Sequence, residues 1–182
     1  MRIFIALDLP DPLLDQLTAL QAGLPAGAPS KRETLHLTLA FAGDHPQEQV
    51  EALHDELSLV NAPAFEVQLS GLGTFGKSSP TLLYAGVEDN PALEGLQRKV
   101  VSAIRRTGLP APKDRFHPHV TLARFHRAVD ARELAHLGEY LAMHEGFAPP
   151  AFSVTSFVLF QSTLHPQGAR HDALARYPLA WS

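Results

Sequence analysis

The sequence predicts a pseudo-duplicated α+β protein whose two lobes face each other across one cleft. Three observations carry that expectation. The phrase His36-Leu37-Thr38-Leu39-Ala40 returns as His119-Val120-Thr121-Leu122-Ala123. A pattern that reads strand–helix–strand–helix–strand surrounds each copy. Corresponding elements lie about 80 to 87 positions apart, which divides one domain into repeats at about 1–78 and 79–182.

Each element has its own justification. Residues 2–8 (Arg-Ile-Phe-Ile-Ala-Leu-Asp) read as a strand, and 81–88 (Thr-Leu-Leu-Tyr-Ala-Gly-Val-Glu) as its counterpart. A helix follows each, with Leu13, Leu17, Leu20 and Leu24 on one face of the first and Leu93, Leu96, Val100 and Ile104 on one face of the second. Both spacings fit a 3.6-residue period. Asp11-Pro12 and Asn90-Pro91 each offer a side-chain acceptor at the cap and proline at the first helical position. Gly108 suits the end of the second helix.

The two His-x-Thr strands come next. In a strand, residues i and i+2 share a face. Each copy therefore sets an imidazole beside a hydroxyl, with Leu37 and Leu39, or Val120 and Leu122, on the buried side. Helices near 47–60 (Val50, Leu53, Leu57, Val60) and 131–142 (Leu134, Leu137, Leu141) follow. Strands at 65–72 and 152–160 close the halves.

Composition allows this and excludes other classes. A chain of 182 residues with 45% hydrophobic and 19% charged content can bury a substantial core. No apolar run reaches the length of a membrane span, and no basic, then apolar, leader opens the sequence. The absence of cysteine removes disulfides, thiolate metal sites and cysteine nucleophiles. A cytoplasmic, monomeric enzyme without membrane partners is the expectation.

The formal charge of −4 conceals a local excess of the opposite sign. Arg98, Lys99, Arg105, Arg106, Lys113, Arg115, Arg124 and Arg127 fall in one window whose single acid is Asp114. Such a patch attracts polyanions. The helix residues Arg98, Arg105 and Arg106 equally suit a solvated helix face. Lys113, Arg115 and Arg124, beside the second motif, favour a phosphate-facing role.

Imidazole titrates near neutrality, so of two histidines one can be neutral while the other is protonated. Splitting a phosphodiester needs both a base for the attacking water and an acid for the departing alkoxide. His36 and His119 supply that pair, and the Thr38 and Thr121 hydroxyls can stabilise charge on the non-bridging oxygens. No metal or cofactor is required by such chemistry. His117 and His119 could chelate zinc, but a third ligand and a nearby acid are missing from the strand. Gly71-x-Gly73-x-x-Gly76 matches a dinucleotide fingerprint as a string; a second strand follows it, not a helix, so it reads as a hairpin turn.

The sequence resembles the two-histidine (2H) phosphoesterase superfamily, and within it the RNA 2′,3′-cyclic phosphodiesterases also called 2′-5′ RNA ligases. Arg2 to Pro10, Leu35 to Gly43 and Phe116 to Arg124 carry the likeness, joined by Phe157-x-Leu159-x-x-Ser162-x-Leu164 and Gly168. The resemblance implies two mainly antiparallel sheets lining a central cleft, with helices outside. It implies hydrolysis of RNA 2′,3′-cyclic phosphate ends to 2′-phosphates, with 2′-5′ ligation as a weak reverse reaction. By position, His36 and His119 would be catalytic, with His119 as base and His36 as acid. Thr38, Thr121 and Arg124 would hold phosphate, and Phe4 would stack on a base. His171 stands where the family often has an aromatic residue, and the approach to His36 lacks an expected tryptophan. Cyclic nucleotides or ADP-ribose cyclic phosphate are alternative substrates for the same site. A non-catalytic nucleotide- or RNA-binding module is the third reading.

Overall fold

Strand β1 (Arg2–Leu7) is buried at every position after Arg2, which marks it as an inner strand. Its side chains alternate between two apolar layers. Ile3, Ile5 and Leu7 join the main core, whereas Phe4 and Ala6 face the other way, into a small cluster with Val158 and Phe160. The computed structural model describes residues 1–180.

Helix α1 (Asp11–Ala22) buries Leu13, Leu17 and Leu20. Its start differs from the expected one by a residue. Pro10 is the cap, and its carbonyl accepts from the Leu13 and Leu14 amides at 3.0 Å. Asp11 makes no capping bond, because its carboxylate pairs with Arg32 at 3.3 Å. Leu24 lies beyond the helix but still packs against the core. The first half continues through β2 (Ala28–Pro29), β3 (Leu37–Asp44), α2 (Gln47–Ser58), β4 (Phe65–Val67) and β5 (Leu69–Phe75).

The second half repeats the order: β6 (Leu82–Val87), α3 (Pro91–Arg106), β7 (His119–Arg124), α4 (Ala131–Met143), β8 (Phe152–Val154), β9 (Ser156–His165) and β10 (Gly168–Pro178). Asn90 caps α3 by accepting from the Leu93 amide at 3.0 Å. Gly108, at φ +76°, follows the last turn and donates its amide to the Arg105 carbonyl. Asp130 and Glu133 form a reciprocal capping box at α4. Leu134 does not join the buried face of α4; it is 52% exposed, and Leu137 and Tyr140 fill that role.

Each closing strand of the repeat is two strands. The break after Val67 comes at Gln68, whose amide donates to the Leu69 and Pro149 carbonyls. The break after Val154 comes at Thr155, whose carbonyl accepts from Leu179. The short pieces β4 and β8 pair with each other as a two-stranded sheet. The long pieces join a sheet of order β10-β9-β1-β3-β7-β6-β5, with β2 added on β7. All pairings of named strands are antiparallel.

Two consequences place the site. Each repeat lends its closing strand to the other's sheet: β5 pairs with β6, and β9 pairs with β1. The two lobes then meet at a single pair, Leu37 opposite Val120. Strands of eight and six residues that share one paired position diverge on either side of it. A cleft opens there.

Candidate active site

Leu37 and Val120 are both fully buried. Their strand neighbours therefore point to the opposite face, into the cleft. The antiparallel register at this pair also sets His36 level with Thr121, and Thr38 level with His119. Four functional side chains thus surround one seam with approximate two-fold symmetry.

The symmetry extends to how each ring is held. His36 Nδ1 lies 2.6 Å from the Thr34 carbonyl oxygen, and His119 Nδ1 lies 2.7 Å from that of His117. A carbonyl can only accept, so in both rings Nδ1 carries the proton. The Nε2 lone pair of each neutral ring is left for other partners. His36 Nε2 receives the Thr38 hydroxyl at 2.9 Å. Aromatic neighbours fix each ring's other sides. His36 sits against Phe4 at 4.9 Å and His171 at 5.2 Å between centroids; His119 meets Phe75 edge-on at 5.0 Å and Tyr84 at 5.6 Å. Gly73 makes the second cradle possible, since a Cβ there would stand 2.5 Å from the Tyr84 hydroxyl.

Burial is the largest influence on both imidazoles. It pulls His36 down to about 4, helped by the positive charge of His171, Arg124 and His119 and opposed by the bond to Thr34. His119 is lowered as well, by burial first and then by His117 and Arg124, against its bond to the His117 carbonyl. Both rings are held neutral near pH 7, in one tautomer. An anion placed between them would reverse the balance.

A bulge that occurs in both halves brings in one more position. Along β1 and β3 the partners run Ala6–Thr38, Ile5–Ala40 and Phe4–Phe41, so one residue is skipped after Thr38. Along β6 and β7 they run Tyr84–Thr121, Leu83–Ala123 and Leu82–Arg124. The extra residue restores the cleft-facing direction five positions after each histidine. Phe41 and Arg124 stand there, both exposed.

The resulting cleft has a volume of about 630 Å³. His36, Thr38, His119, Thr121, Arg124, Arg115 and Phe4 all line it. Lys113 does not; it is exposed outside the lining. The helix cations turn elsewhere, Arg106 to Glu56 at 2.5 Å and Arg98 to Glu94 at 3.8 Å, and Arg127 pairs with Glu133. Phe4 does not provide a stacking face. It is 2% exposed, layered on Phe160 at 5.3 Å and 18°, and serves as the floor beneath His36.

A family model described as the 2′-5′ RNA ligase superfamily matches residues 9–165 of this chain. The chain belongs to this superfamily. Among its relatives within the 2′-5′ RNA ligase superfamily, the RNA 2′,3′-cyclic phosphodiesterase of Escherichia coli K12 is 31% identical over 186 residues, covering 98% of this chain and 96% of that one. A protein of the same description from Geobacillus stearothermophilus is 31% identical over 150 residues. That alignment covers 81% of this chain and 46% of the relative, so the chain spans about half of that protein's length. The crystal structure of E. coli LigT complexed with 3′-AMP superposes with a TM-score of 0.80 at 28% identity, covering 98% of this chain and 97% of that one.

Several cleft residues of this superfamily member were not singled out from sequence: Arg2, Phe41, Phe75 and His171 line the cleft, and Tyr84 stands behind His119. Phe75 and Phe160 are 85 positions apart, and Phe4 and Tyr84 are 80 apart. The repeat that located the histidines could have located these four. His171, which stands at the family's aromatic position, keeps an edge-on aromatic contact with Phe4 at 4.8 Å.

Proposed function

We propose that this chain hydrolyses RNA 2′,3′-cyclic phosphate ends to 2′-phosphomonoesters by acid–base catalysis between His36 and His119, without a metal. The observation that carries the reading is the matched pair of imidazoles, each tethered through Nδ1 and each aiming Nε2 at one cleft. His119 Nε2, which makes no protein bond among the described residues, takes a proton from water. The water oxygen bonds to phosphorus and the bond to the 3′-oxygen breaks. His36, protonated at Nε2, delivers its proton to that oxygen. Thr38, Thr121 and Arg124 stabilise the charge on the non-bridging oxygens.

The lowered proton affinity of both rings fits this scheme. The substrate's phosphate anion raises it, so His36 acquires its proton as the complex forms. A 5′-hydroxyl in place of water would give a 2′-5′ linkage at the same site. Water's much higher concentration keeps that reaction weak. The test is end-group analysis of an oligonucleotide carrying a 2′,3′-cyclic phosphate. A 2′-phosphate end supports the reading; a 3′-phosphate end, or no conversion, refutes it.

A further inference from the structure

Phe4 is sealed into the floor of the cleft, and the aromatic face above it belongs to Phe41. We propose that Phe41 is the stacking subsite for the nucleobase of the terminal nucleotide, and that it fixes which side of the phosphorus the ribose occupies. The inference rests on the cyclic-phosphate reading above.

Phe41 is 54% exposed, and it lines the cleft. Its ring lies 5.6 Å from that of Phe4, which is itself stacked on Phe160. The three form a ladder anchored at one end and open at the other. The bulge directs Phe41 inward and leaves the following Ala42 buried. An open aromatic face beside a phosphate-sized polar site matches what a nucleotide presents: charge at one end and a flat π-surface at the other.

The repeat sharpens the argument. The two lobes agree at both histidines and both threonines, and differ at the position five residues on: Phe41 in one, Arg124 in the other. A site with two-fold symmetry cannot tell one orientation of its substrate from the reverse. This difference can. Arg124 favours the phosphate oxygens, and Phe41 favours the base. Because Phe41 rises from the strand that follows His36, a base stacked on it holds the ribose on the first-lobe side. In an in-line displacement, the leaving oxygen and the attacking water lie on opposite sides of phosphorus. The ribose 3′-oxygen then faces His36 and the water faces His119. Stacking tolerates every base, so the subsite orients without selecting sequence.

The test compares ligands with and without a base, for wild type, Phe41→Ala and Phe41→Trp. In calorimetry, Phe41→Ala should weaken adenosine 2′-monophosphate binding roughly 5- to 150-fold, the value of one base–aromatic stack. Binding of inorganic phosphate should stay within about twofold, a margin set well below the stacking effect. Phe41→Trp should keep nucleotide affinity and show fluorescence quenching. In turnover, Phe41→Ala should raise KM for adenosine 2′,3′-cyclic phosphate and leave methyl riboside 2′,3′-cyclic phosphate unaffected. Equal weakening of phosphate and nucleotide would overturn the proposal by making Phe41 a prop of the site. No change in either would also overturn it. If wild type hydrolyses no cyclic phosphate while the nucleotide affinity still depends on Phe41, the catalytic reading falls and the subsite stands.

Discussion

Leu37 and Val120 form the single paired position between the two lobes, and both are fully buried. The catalytic face is built around that pair: the residues on either side of it are His36, Thr38, His119 and Thr121. Leu37→Ala leaves a cavity at the seam and is expected to cost about 2–5 kcal/mol, read from denaturant unfolding. Where the variant remains folded, kcat should also fall, because the spacing of the two imidazoles depends on this contact. An unfolding midpoint equal to wild type would contradict the account of the seam.

Thr38→Val and Thr121→Val keep side-chain shape and remove a hydroxyl from each side of the site. Loss of one such donor is expected to lower kcat roughly 10²–10³-fold. Thermal unfolding should stay close to wild type, since neither hydroxyl supports the core. A change confined to KM would show that the threonines bind the ground state and the transition state alike.

Proton affinity gives a signed prediction for stability. His36 binds its proton near pH 4 in the folded protein and near 6.5 when unfolded. Its contribution to stability is fully present above about pH 6.5 and is lost as pH falls toward 4, because the unfolded chain takes up the proton first. The loss amounts to at most about 3 kcal/mol. His36→Gln should flatten that part of the stability curve.

The same values shape the rate. The kcat/KM profile reports the free enzyme. Its limbs should both lie below pH 6.5, and the kcat limbs should lie at higher pH, where bound phosphate has raised both groups. Coincident profiles for kcat and kcat/KM would show that the phosphate does not reset the histidines.

Arg124 lines the cleft and Lys113 does not. Arg124→Gln is therefore expected to reduce kcat/KM about 10- to 100-fold, the value of a charge-assisted hydrogen bond, and to weaken its dependence on salt. Lys113→Gln should leave both near wild type. Steady-state kinetics at two ionic strengths separates the two.

Much of this was legible in the sequence because the duplication made it so. The phrase around His36 recurs at His119 in the same strand phase, which was enough to locate one cleft and four of its side chains. What stayed hidden depends on partner strands. The bulges after Thr38 and Thr121 are set by pairing with β1 and β6, so simple alternation gave no sign that Phe41 faces the cleft. For the same reason Phe4 looked available for stacking, although Phe41 and Phe160 enclose it. Strand β10 buries only Tyr177, and its polar run carries no apolar alternation to announce it. The exchange of β5 and β9 between the repeats is a long-range choice that local pattern does not encode.

The central claim is that two histidines alone supply the acid and the base. Its most direct test is product analysis on a short RNA with a 2′,3′-cyclic phosphate, in the presence of EDTA, for wild type, His36→Ala and His119→Ala. The account predicts conversion to a 2′-phosphate end by wild type, and a rate loss of roughly 10²–10⁴ in each variant. Loss of wild-type activity in EDTA, or near-wild-type turnover by either variant, would contradict it.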